Sequence, residues 1–205
     1  MKKLFVCLFV LISFLSSAQT KEDIFNKNIP VVFLGADYSL AQFTKAEEFE
    51  NKSDILRLFV DINNLFKPKS TQELIRKKLR RDEVKLDLSY VNTINALVDW
   101  QKVHTDNVDY AISDETIAEM IVKLNVDQNL YKDHIGMVII NENCSKTIKR
   151  GKVAVAFFTI NELKPVLITH YVIKSDGIGF LYYWMDVNLE AIKNLDDLYK
   201  EMKKK

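Results

Sequence analysis

The chain has 205 residues, 28% of them charged, with 29 lysines and arginines against 28 aspartates and glutamates. A net charge of +1 excludes a generally basic nucleic-acid binder and a strongly acidic solvating protein. Five glycines and three prolines exclude collagen-like and Gly/Pro-rich disordered classes, and 48% hydrophobic residues suffice for one folded core.

Residues 1–18, MKKLFVCLFVLISFLSSA, read as a secretory signal peptide. Lys2 and Lys3 precede an apolar run from Leu4 to Ile12, and the small residues Ser16 and Ala18 stand where a signal peptidase cuts before Gln19. The run is too short to cross ~30 Å of hydrocarbon, and no later stretch is long and apolar enough to do so. Cys7 lies too early to become a lipid-bearing first residue. The reading is therefore an exported protein, periplasmic or extracellular, with residues 19–205 as a single domain and no transmembrane segment in the mature chain. Only Cys144 then remains, so no internal disulfide is expected.

After a polar lead-in, residues 30–44 read as one strand, with Gly35 at a bend. Ile55, Leu58, Phe59, Ile62, Leu65 and Phe66 recur at helical spacing, behind Ser53 as a cap and before Pro68. Ser70 to Glu73 have capping-box spacing and open a short helix. VKLDLSYV (84–91) alternates like a strand, and Val91 to about Lys102 continues as a helix. Ser113, Asp114 and Glu115 start another, ending near Asn125. Four β-like runs follow at 134–143, 152–160, 165–174 and 179–184, with Asp176-Gly177 as a hairpin signal before the last. A helix from about Val187 closes the chain and ends in three lysines. Helices in the middle and strands at the end predict an α+β fold. One N-terminal strand and a C-terminal meander would form a mostly antiparallel sheet against several helices.

Phe158, Asn161, Lys164, Val166, Leu167, Gly177, Gly179, Phe180, Tyr183 and Trp184 form a pattern of two strands followed by G-x-G-F-x-x-Y-W and a helix. It resembles a pattern in small exported proteins of Bacteroidota, whose early strand is similar to FLGADYS here. That family carries no assigned activity, so the resemblance implies export and a strand framework and transfers no catalytic residue.

Phosphate-cradling glycine loops, GxSxG, HExxH and CxxC are absent from the sequence. His104, Asp106 and Asp109 lie close in sequence, but no second histidine stands within ligand spacing, so no metal or other cofactor is expected. Cys144 and His170 could form a nucleophile–base pair only if folding brings them together. Asp37, Tyr38 and Ser39 place polar groups at the end of an apolar strand, where they could line a pocket. Tyr182 and Trp184, in a run apolar on both strand faces, are the candidates for partner binding. Arg76, Lys77, Arg80 and Arg81 form a candidate basic patch; no aromatics interleave with it, which disfavours nucleic acid. The leading expectation is a non-enzymatic module that binds an envelope or extracellular protein. The alternative is a small-molecule or lipid binder with a pocket between sheet and helices, and the third reading is a hydrolase using Cys144 or His170.

Overall fold

The computed structural model describes residues 20–44, 54–145 and 147–202. The leader at 1–18, the expected Ser53 cap and the terminal lysines lie outside the described residues. In chain order the elements are β1 (Val31–Asp37), β2 (Gln42–Thr44), α1 (Ile55–Asn64), α2 (Lys69–Lys78), β3 (Val84–Leu86), α3 (Ser89–Asn95), β4 (His104–Thr105), α4 (Asp114–Lys123), β5 (Ile135–Ser145), β6 (Arg150–Thr159), β7 (Lys164–Lys174) and α5 (Gly179–Met202).

The sheet corrects the expected class. The fold is α/β, because the ranks β3-β1-β5-β2-β4 are all parallel. The expected meander exists, with β5, β6 and β7 paired antiparallel, but it is only one side of the sheet. β6 runs along one edge of β5. The other edge takes β1 against residues 135–140 and then β2 against 143–145, so β1 and β2 lie end to end. A parallel pair needs a long crossover, and α1 to α4 supply it. The burial pattern agrees: every residue of β1 and of β5 is buried, as strands covered on both faces require.

Two cores flank the sheet. Phe33, Met137, Ile139, Val155 and Phe157 face α1, α2 and α5. Leu34, Val138, Ile140, Ala154 and Ala156 face α4, with Val91 of α3 in the same cluster. α5 begins eight residues before the expected Val187, and the run 179–184 is its first turns rather than a strand. Tyr183, Trp184, Val187, Ala191, Ile192, Leu195 and Tyr199 form one buried stripe at helical spacing, which a strand would split between two faces. Asp176-Gly177 is accordingly the corner between β7 and α5. There Ser175 Oγ accepts from the Gly177 N–H at 3.2 Å and lies 2.9 Å from Asp186 Oδ2.

Smaller differences have local causes. α2 starts at Lys69 directly after Pro68, whose carbonyl accepts from the Thr71 and Gln72 N–H groups, so Ser70 is not its cap. Only Val84–Leu86 of the alternating run 84–91 is strand, and α3 ends at Asn95, before a separate short 3₁₀ turn at Trp100–Lys102. The α4 reading holds: Ser113 Oγ accepts from the Thr116 N–H, and Asn125 takes a left-handed φ of 51° after the last turn.

The residue that shapes the sheet is Gly35. Between Phe33 and Ala36 the register with β5 advances three residues on β1 for two on β5, a bulge of one residue. Gly35 sits there at φ 97°, and a Cβ would fall 2.6 Å from Asn63 Oδ1. The peptide groups of Ala36 are met by side chains. Asn63 of α1 accepts from Ala36 N at 2.8 Å and donates to Ala36 O at 3.0 Å. Asn95 of α3 donates to the same carbonyl at 3.0 Å and accepts from Tyr38 N at 2.7 Å. Both asparagines are fully buried. Replacing Asn63 with alanine strands the buried Ala36 N–H, so urea unfolding should show a loss of about 1–3 kcal/mol with little change in slope. Gly35→Ala should also destabilise, through the strained φ and the contact with Asn63.

Candidate functional site

The bulge at Gly35 reverses the alternation of β1. Val32 and Leu34 face α4, whereas Ala36 and Tyr38 return to the α1–α5 side, which turns Asp37 toward α4. Asp37 is 1% exposed, and its Oδ1 accepts the Ser39 N–H at 2.7 Å. Burial raises its pKa, with the Ser39 bond opposing. Asp37, Ser39 and Leu40 line a cavity of about 150 Å³ with Ile94 of α3 and Met120 and Lys123 of α4. Tyr38 is instead a core pillar. Its ring stacks on Phe59 at 4.4 Å, and its hydroxyl accepts from Asn188 Nδ2 at 2.9 Å. Asn188 in turn accepts from Asn141 Nδ2 at 3.1 Å, tying β1, β5 and α5 together.

A second bulge, on β5, builds the neighbouring polar cluster. Asn141 pairs with Val153 and Asn143 with Lys152, leaving Glu142 as the extra residue. Glu142 turns to the α4 side, buried to 1%, and its Oε2 accepts the Ile112 N–H at 2.8 Å. Its Oε1 lies 2.8 Å from His170 Nδ1, and His170 Nε2 lies 2.9 Å from Asp114 Oδ1 at the first turn of α4. Partial burial of His170 disfavours its charge, but the bonds to Asp114 and Glu142 outweigh that and its pKa is raised. The imidazole is thus a clasp between the sheet and the start of α4.

The same bulge separates the proposed nucleophile from its base. Undisturbed alternation would carry Cys144 to the face of His170, but the extra residue sends it into the core beside α5. Cys144 is 1% exposed, and burial raises its thiol pKa well above the ordinary value. With both His170 nitrogens held by carboxylates and Cys144 on the opposite face, the two do not form a nucleophile–base pair.

The remaining candidates are scattered. Trp184 is buried, edge-on to Phe43 at 5.8 Å and to Tyr183 at 4.6 Å, whereas Tyr182 is 64% exposed. Arg76 is held by Glu73 at 2.8 Å and Lys77 reaches the same carboxylate at 3.5 Å. Arg80 lies 3.5 Å from Asp196 and over the Tyr199 ring. Arg81 is not a surface charge: it is 2% exposed, and its Nη2 donates to the carbonyls of Asp23 and Ile24. His104 lies 3.6 Å from Asp106, but Asp109 turns to Lys152. Among the described residues no group of three His, Cys, Asp or Glu side chains is arranged to hold a metal ion, and no helix is long and apolar enough to cross a membrane.

Among the described residues β7 pairs only with β6, so its outer side is a sheet edge of 11 residues. α4 and α5 both contact β7. Lys164 and Lys174 mark its two ends, both exposed, and Val172 is 61% exposed. The sequence showed the strand and its lysines; a strand's place in a sheet has no local signature. The chain matches no protein-family model, no curated protein and no solved structure.

The clasp has a pH signature. His170 has a folded pKa above its ordinary 6.5, so it favours folding fully below 6.5 and loses that contribution as pH rises through the raised value. Urea midpoints of the unaltered chain should therefore fall over that window relative to His170→Gln, whose side chain does not titrate.

Proposed function

We propose that this protein is a non-catalytic binding module that takes an extended segment of another polypeptide along the outer edge of β7. The observation that carries the reading is that edge: 11 residues of strand with one side paired to β6 and, among the described residues, no strand on the other. At ~3.3 Å per residue the edge is longer than an ordinary partner strand of 5–6 residues, and main-chain bonds would supply the affinity.

Charge selects the occupant. In an antiparallel pairing of two copies, Lys164 of each would oppose Lys174 of the other, and like charges facing across strands destabilise. Lysines at an edge are a device against such self-pairing. A foreign strand with acidic residues near its ends meets both lysines favourably, and alternate apolar residues can lie beside Val172. The leader-like residues 1–18 support export, which makes the partner an envelope or extracellular protein. The positions of Cys144 and His170 support a binding role over the hydrolytic one considered for them.

Selection from displayed random peptides tests this reading. Recovered peptides should carry acidic ends, and adding one should slow amide hydrogen exchange within Lys164–Lys174. Lys164→Glu combined with Lys174→Glu should weaken the peptide by about tenfold while leaving the fold unchanged. Protection confined to another element, or affinity indifferent to both lysines, would refute the assignment.

A further inference from the structure

The cavity at the end of β1 has a chemistry distinct from the β7 edge. Asp37, almost wholly buried, lines it together with Leu40, Ile94 and Met120. Among the described residues no cation lies within ion-pair distance of Asp37. Lys123 also lines the cavity and is exposed. Ser39 N–H is the bond held by Oδ1. A buried carboxylate without a counter-ion is costly, and a cationic ligand would relieve that cost.

The surrounding backbone has the same sign. Ile94 lies in the last turn of α3 and Met120 and Lys123 in the last turn of α4, so the cavity is placed at two helix C-termini, where the peptide dipoles are negative. Topology places a crevice here too. β1 sits between its parallel neighbours β3 and β5, to which the chain returns on opposite sides, and α/β folds bind ligands at the carboxyl ends of such strands.

The size and lining narrow the class. A volume of about 150 Å³ equals about five water molecules at liquid density. A hard divalent cation requires about six oxygen ligands, which one carboxylate among Leu, Ile and Met side chains does not offer. We propose that the cavity binds a small primary alkylammonium compound, its ammonium on Asp37 and its short chain against Leu40, Ile94 and Met120. Lys123, in the same lining, is a competing cation and limits the affinity.

The test is titration of the ¹³C-labelled methyl resonance of Met120 with n-butylammonium chloride, and separately with 1-butanol, which has the same number of heavy atoms and no charge. Butylammonium should shift the resonance saturably at ~mM concentration, as befits a ligand of so few atoms, and 1-butanol should bind at least about tenfold more weakly. Asp37→Asn should abolish the preference for the amine, and Lys123→Gln should strengthen amine binding. Absence of a saturable shift, equal binding of the alcohol, or an amine preference retained in Asp37→Asn would overturn the proposal. Should Asp37→Asn fail to fold, the comparison of amine with alcohol in the unaltered chain decides the matter alone. The β7 edge plays no part in this experiment, so the two readings stand or fall separately.

Discussion

Two strands that lie side by side at the centre of the sheet each carry one residue too many near their carboxyl ends, and the molecule's polar chemistry is arranged around those two irregularities. On β1 the extra residue is Gly35; on β5 it is Glu142. A bulge interrupts the ladder, and the interrupted peptide groups must find other partners or forfeit their hydrogen bonds. Around Ala36 those partners are Asn63 and Asn95, which thereby pin α1 and α3 to the sheet at the same peptide. The constraint is mutual. The asparagines are buried and would be costly without the bulge, and the bulge would be costly without them.

Each bulge also exchanges the faces of everything beyond it. Asp37 turns toward α4 and Tyr38 toward Phe59; Glu142 keeps the α4 face of Val138 and Ile140, and beyond it Cys144 turns into the core beside α5. One face of the sheet therefore ends in carboxylates and a histidine, while the other ends in rings and amides. The first needs a cation at each carboxylate. His170 bridges Glu142 and Asp114, and among the described residues no cation pairs with Asp37. The second is held by packing of Trp184, Phe43 and Tyr183 and by the chain of bonds from Asn141 through Asn188 to Tyr38. The meander then extends the sheet away from this centre to β7, whose outer side has the main-chain groups of a sheet edge and whose ends are marked by lysine.

How much of this was legible varies with the range of the interaction responsible. The stripe in α1, the cap of α4 at Ser113 and the three long strands β5 to β7 follow from local pattern. The run 179–184 was misread because an apolar sextet has too few polar residues to betray its period; only continuation into Val187, Ala191 and Leu195 shows that the stripe is helical. Arg81 counted as a surface cation because charge says nothing about burial, yet the carbonyls of Asp23 and Ile24 hold it inside. Of the site candidates, Asp37 and Ser39 do line a cavity, while Tyr38 and Trp184 are core residues.

The continuous apolar runs VVFL and GMVII were visible in the sequence, and their lack of alternation is the signature of strands covered on both faces. The order of elements suggested a meander with one added strand, and strand direction was the part it misjudged. Local sequence determined which segments become helix or strand, since propensity, periodicity and capping act within a few residues. The tertiary structure alone decided that β1 and β2 share one edge of β5 in parallel, and that Gly35 and Glu142 are the residues left over. The parallel pairing and the Gly35 bulge depend on register between segments about a hundred residues apart, and the Glu142 bulge on register across the β5–β6 hairpin, neither of which a single segment encodes.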